Sequence, residues 1–172
     1  MNDKVLFWFR NDLRMADNPG FYEACLSGEV LPVYILDHNI DIGSASKWWL
    51  YYSLNKLNDS LQNHLHVVSG DSESIILDMC KTYRIERVYW NKSYEPFRIN
   101  QDDKIQKVLA EHNISTSTYN GSLLWEPQKV TKSDGTPYKV FTPFYKRFLQ
   151  SITVRPLAKA PEKLKAPKLS GI

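Results

Sequence analysis

Residues 4–9 read KVLFWF, a six-residue apolar run of β-favouring side chains with no polar alternation. Such a run suits a strand buried on both faces, the kind found in parallel sheets covered by helices on either side. Outward from it, a second buried strand is read at Val30–Leu36 and further short strands at His66–Ser69, Arg87–Trp90 and Ser115–Tyr119. Helical stretches lie between them. Asn18-Pro19-Gly20 supplies a cap and first turn for a helix through Ser27, with Gly28 as its stop. Ser46–Leu65 repeats apolar residues at three- and four-residue steps (Trp49, Leu50, Leu54, Leu57, Leu61, Leu65), building one stripe. Ser72–Tyr83, capped by Ser72 or Asp71, and Phe97–Asn113, with Ile99, Ile105, Val108 and Leu109 inward, complete the alternation. Strands alternating with helices predict βαβ units, hence an α/β, doubly wound, Rossmann-like parallel sheet of five strands with helices on both faces. Pro32 marks the start of its strand or an irregularity in it.

After Asn120 the character changes. Residues 121–143 are irregular, with a hairpin tip at Lys132–Gly135, and Thr142-Pro143 opens a short helix through about Ser151. The domain is read as residues 1–150. Residues 151–172 form a Pro/Lys-rich linker or tail with few apolar anchors. That tail holds Arg155, Lys159, Lys163, Lys165 and Lys168 against Glu162, so it accounts for more than the whole formal charge of +3. A near-neutral body does not suit a nucleic-acid module, which carries its basic face on the core. No apolar run approaches the roughly 18 residues of a membrane span. The first residues hold no secretory signal pattern, so a cytoplasmic protein is expected. Cys25 and Cys80 offer neither metal spacing nor a disulfide framework.

In open α/β sheets ligands sit beyond the carboxyl ends of the strands, where strand order reverses. The loops to inspect are therefore 10–17, 37–47 and 91–98. None carries the glycine fingerprint of a dinucleotide or phosphate site. No Ser-His-Asp spacing, G-x-S-x-G or His/Cys cluster occurs, so no catalytic or metal-binding residues are expected. Residues alone lead to a doubly wound domain with a crevice for a ligand not gripped by phosphate.

Four stretches carry a resemblance. WFRNDLRMADNPG (8–20) is similar to the opening signature of the DNA photolyase/cryptochrome family. GSASKWWLYYSL (43–54) resembles its second-helix start, and VYWNKSYEP (88–96) its fourth strand and following loop. NGSLLWEPQKV (120–130) with GTPYKVFTPFYKRFLQ (135–150) resembles the segment closing its first domain. The look is that of a bacterial cyclobutane pyrimidine dimer photolyase. The resemblance implies an antenna domain holding a light-harvesting chromophore: methenyltetrahydrofolate, a deazaflavin or a second flavin. It also implies an all-helical FAD domain, outside these 172 residues, as its partner. Damaged DNA would be met through that domain, and no membrane is involved.

Carried over by position, the cofactor-binding candidates are Phe9 and Arg10 at the end of the first strand, and Ile35, Leu36 and Asp37 at the end of the second. Lys47 and Trp48 follow at the helix start, then Tyr94 and Glu95 after the fourth strand. Glu95 would accept hydrogen bonds from a pterin or deazaflavin edge, or serve as a helix N-terminal charge. Lys47 stands where the family often has Arg and lacks the planar fork. Trp8, Trp90 and Trp49 read as core. Arg10, Asp12, Arg14 and Asp17 read also as a loop-bracing ion-pair network. Residues 138–145 (YKVFTPFY) read as a docking face for the helical domain. A cryptochrome photoreceptor domain, and a nucleotide-binding α/β module without photochemistry, are the competing readings.

Overall fold

A computed structural model describes residues 3–167. Its chain order is β1 (Lys4–Phe9), α1 (Pro19–Ser27), β2 (Glu29–Asp37), α2 (Ser44–Ser60), β3 (His66–Gly70), α3 (Ser72–Tyr83), β4 (Arg87–Asn91), α4 (Pro96–Glu111), β5 (Ser115–Tyr119) and α5 (Phe141–Ser151). The five strands are all parallel in the order β3-β2-β1-β4-β5. β1 is central, which is why its run needs no polar face. Trp8 stands in register with Val33 on one side and Trp90 on the other.

Alternate residues feed two cores. Leu6, Trp8, Leu31, Val33 and Val88 meet Ile76 and Cys80 of α3 and Ile105 and Leu109 of α4. Val5, Phe7, Phe9 and Val30 meet Phe21 and Ala24 of α1 and Leu57 of α2 on the opposite face. That is the doubly wound arrangement the patterning predicts. Trp8 and Trp90 are core, packed edge to face with centroids 6.0 Å apart. Cys25 is half-buried and Cys80 buried. Burial pushes both thiols up to about 12, so neither ionises near neutral pH.

Local chemistry sets the helix ends. Asn18 Oδ1 accepts from Phe21 N at 3.0 Å with Pro19 in the first turn. Asp71, not Ser72, caps α3 through Ser74 N. α2 stops at Ser60 rather than Leu65, because Gln62 and Asn63 adopt left-handed φ of 56° and 64°. Trp49 is not core: it is 70% exposed, and the stripe begins only at half-buried Leu50. Ile99 likewise stands outward. Pro32 lies inside β2, not at its start. Val30 N donates to Lys165 O at 2.7 Å and β3 joins β2 only from Val33. Two residues on from Val30, Pro32 faces that same open side, where no ladder N–H is required.

The described residues form two compact units: 3–121 with 158–167, and Ser122–Leu157. This changes the expected division at residue 150. The stretch read as a tail returns to the first unit. Asp17 N donates to Ala158 O at 2.7 Å, and Leu164 is buried in the α1/α2-side core. A single leucine among lysines and prolines has no periodicity to announce it. Residues 168–172, with Lys168, lie outside the described residues. In the second unit the expected hairpin tip is present, with a Thr131–Pro137 antiparallel bridge and Gly135 at φ 80°. α5 follows it, with Phe141, Tyr145 and Leu149 exposed.

Candidate functional site

The carboxyl edge of the first unit has two crevices. The one at the strand-order reversal lies between β1 and β4, where buried side chains pair with one another. Arg10, only 4% exposed, ends β1 and crosses to α4. Its Nη1 donates to Asp102 Oδ1 at 2.7 Å and its Nη2 to Oδ2 at 3.2 Å. Nη2 also donates to Asn91 O. Trp90 Nε1 donates to Asp102 Oδ2 at 3.0 Å, and the guanidinium lies 4.8 Å from the Trp8 ring centroid. Beside it, Asp12 accepts from Arg10 N and from the side-chain amides of Asn18 and Asn91. Asn91 Oδ1 accepts from Gly20 N at 3.0 Å, so the start of α1 is pinned to β4. Arg14 bonds the carbonyls of Asp17 and Gly121. The loop is braced, but Arg10 pairs with Asp102 and not with the acids of its own loop. A bidentate, hydrogen-bonded pair of this kind is the geometry in which a buried charge is tolerated.

The second crevice is open. A cavity of about 940 Å³ surrounds the carboxyl end of β2, near the upper end of the range for small-molecule sites. Tyr34, Ile35, Leu36 and Asp37 come from β2; Leu50, Tyr51 and Leu54 from α2; Val67 and Ser69 from β3. The β2–α2 loop adds His38, Ile40, Asp41 and Ile42, the start of α2 adds Lys47, α4 adds Arg98 and the β1–α1 loop adds Asn11. Aliphatic side chains and two tyrosines share the wall with polar and charged groups. Burial raises the Tyr34 hydroxyl, against the opposing charge of Arg98, so it stays a neutral donor.

Asp37 is part of this wall but has no acceptor to spare. Oδ1 receives Asn39 N at 2.9 Å and Asn39 Nδ2 at 3.0 Å. Oδ2 receives Ser72 Oγ and Gln101 Nε2, both at 2.6 Å. Four donors occupy its four lone-pair positions. Burial alone would raise its pKa, but the bonds from Ser72, Asn39 and Gln101 outweigh it and hold the carboxyl below its ordinary value. Asp37 therefore ties α3 and α4 to the tip of β2 and does not offer a polar anchor. Lys47 keeps its ammonium exposed, 3.9 Å from Asp41.

Of the residues carried over by position, Ile35, Leu36, Asp37 and Lys47 line the cavity. Phe9 does not: it is fully buried against Phe7 and Phe21. Arg10 is committed to Asp102. Trp48 is exposed on α2 with its ring against Tyr52, 4.7 Å between centroids, and is not on the wall. Tyr94 is half-buried and Glu95 exposed at the α4 N-terminus, both off the wall. Sequence reasoning missed Arg98, Tyr34, Tyr51 and the leucines of α2. Lys47, Leu50, Tyr51 and Leu54 stand three and four residues apart on one helix face, and that spacing was the available signal. Among the described residues no three His, Cys, Asp or Glu side chains gather as metal ligands. No described helix is long and apolar enough to cross a membrane.

The fold is a doubly wound parallel domain with a buried Arg10–Asp102 pair at the strand-order reversal, an open cavity at the end of β2 and no glycine fingerprint for phosphate. The profile of the DNA photolyase family matches residues 5–167, and the chain belongs to that family. It is similar in structure to a bacterial class III photolyase from Agrobacterium tumefaciens, with a TM-score of 0.90 and 34% identity. That match covers 98% of this chain and 36% of the photolyase. An archaeal photolyase from Sulfolobus tokodaii, solved with two FAD molecules, gives a TM-score of 0.75 at 26% identity, covering 95% and 38%. In sequence the chain is 34% identical over 157 residues to cryptochrome-2 of Arabidopsis thaliana, 87% of this chain and 26% of that protein. The chain thus spans roughly a quarter to two-fifths of these relatives' own length.

Proposed function

We propose that this chain is the antenna domain of a deoxyribodipyrimidine photolyase, holding a planar light-harvesting chromophore in the cavity at the carboxyl end of β2. The open hollow carries this reading. Its size suits a pterin, deazaflavin or flavin, and its walls are the kind that bury an aromatic ring. Ile35, Leu36, Leu50 and Leu54 would pack on the ring faces, Tyr34 and Lys47 would meet polar edges, and Asp37 would hold the wall. When bound, the chromophore supplies near-ultraviolet or blue absorption for transfer to FAD elsewhere in the full-length protein. The chain's own residues position it and keep water from it; no acid–base group is required of them.

Dimer splitting and DNA contact would then belong to the helical FAD domain. The exposed Phe141, Tyr145 and Leu149 of α5 fit a docking face for that partner. A cryptochrome domain is the second reading, favoured by the likeness to cryptochrome-2.

The test is the absorption spectrum of gently purified protein. A near-ultraviolet or blue band that vanishes when Leu50→Trp fills the cavity supports the proposal. Adenine-like absorbance with stabilisation by ATP would instead favour a nucleotide-binding module. Light-dependent dimer splitting by the 172-residue chain without a helper would overturn the assignment to an antenna domain.

A further inference from the structure

We propose that Arg98 makes this cavity selective for a ligand carrying an anionic group, a phosphate or a carboxylate, in addition to its planar ring. This rests on the cavity being the chromophore site.

Arg98 is the third residue of α4 and forms part of the cavity wall. It is half-buried, yet among the described residues it makes one hydrogen bond, from Nη1 to Gln101 Oε1 at 2.9 Å, and no ion pair. A guanidinium has five N–H donors and keeps its charge in any protein. Most of its capacity is therefore unspent. Asp37, whose charge acts on Arg98, has its oxygens taken by four hydrogen bonds from other groups and does not bond the guanidinium. Glu95 is exposed. Burial and the neighbouring charge of Arg10 together pull the Arg98 pKa down, outweighing Asp37, Glu95 and Tyr34. Asp37 and Glu95 act on the guanidinium through space, and neither makes a direct ion pair with it.

Its position points the same way. The first turn of a helix disfavours a cation and favours an anion, and no side chain caps the start of α4. Gln101 fixes the arrangement: its Nε2 holds Asp37 and its Oε1 holds Arg98, so the guanidinium is aimed by a residue itself anchored to β2. Lys47, the other cation of the wall, is exposed beside Asp41 and is not held in this way. An anion at Arg98 would take up the free donors of the fork and give the guanidinium a direct ion partner at once.

Fluorescence titration of the 172-residue chain with matched pairs tests this: FMN against riboflavin, and 5-formyltetrahydrofolate against its glutamate diamide. The first pair reads a phosphate source, the second a carboxylate source. In whichever pair binds, the anionic member is expected to bind about tenfold tighter or more, the order of one charge-assisted hydrogen-bonding contact. Arg98→Gln should bring the two members within about twofold, while Lys56→Gln, an exposed lysine of α2 off the cavity wall, leaves the gap. Equal affinity of both members of a binding pair, measured on the unmutated chain, overturns the proposal and leaves the cavity reading standing. So does a gap that survives Arg98→Gln or collapses with Lys56→Gln. Binding of neither pair removes the cavity reading, and this inference with it.

Discussion

The two crevices at the carboxyl edge share one sheet and lie side by side, yet one is closed and the other open. Between β1 and β4, where topology alone would place a ligand, Arg10, Asp102, Trp90 and Asn91 are buried and pair with one another, with Arg10 Nε alone among their side-chain nitrogens left without a partner. Around the end of β2, Asp37 is equally satisfied, but by groups from behind the wall, and the space in front is largely apolar and empty of protein. Strand order permits a crevice; the reach and pairing of side chains decide whether it survives. Each polar cluster braces α4, so the closed crevice helps to hold the open one.

The sharpest way to break this contrast is Asp102→Ala. It leaves Arg10 buried and unpaired, a change expected to cost about 3–5 kcal/mol, read as a lowered urea midpoint. A loss below about 1 kcal/mol, the surface-pair range, would mean that the closed crevice is not a stability element. Next is Gly20→Ala. A Cβ there would lie 2.7 Å from Asn91 Oδ1 and 3.0 Å from the Phe7 ring. Overpacking of this kind costs about 1–3 kcal/mol, again by urea unfolding, with the open cavity's ligand affinity unchanged.

Asp37→Asn sharpens the open side. Asp37's pKa is lowered in the folded protein, so its contribution is complete above its unfolded value of about 3.9 and lost as pH falls through the lower folded value. Unfolding midpoints measured from pH 7 down to pH 3 should show a gap between native protein and variant that narrows below about pH 4. A gap that widens on acidification would contradict the bracing role. The smallest effect is expected of Trp49→Ala. At 70% exposure it should stay within about 0.5 kcal/mol of the native protein, whereas Leu57→Ala, on the buried side of the same helix, should lose about 2–5 kcal/mol.

The inner strands β1, β2 and β4 were legible because burial on both faces leaves a largely apolar run, as in residues 4–9, whereas the half-buried edge strands β3 and β5 were read from β-favouring residues between helices. Cross-chain pairings were not. Arg10 looks like a member of its own loop's charge cluster until the fold brings Asp102, 92 residues on, beside it. Trp49 looks like core because periodicity reports a helix face without reporting which of its turns lie over the sheet. Leu164 had no pattern at all. The cavity was half legible: Ile35, Leu36, Asp37 and Lys47 follow from the rule about carboxyl ends, and the resemblance added Lys47's motif. Arg98 closes the 91–98 stretch that the rule marks, but it stands in the first turn of α4 and no motif singles it out.

The account turns on which crevice receives the planar guest. A crystal structure of the 172-residue chain grown with FMN or 5-formyltetrahydrofolate answers that directly. Ring density against Ile35, Leu36 and Leu54, with the Arg10–Asp102 pair undisturbed, is the predicted result. Density between β1 and β4, or a β2-edge hollow that stays empty at saturating ligand, would contradict it.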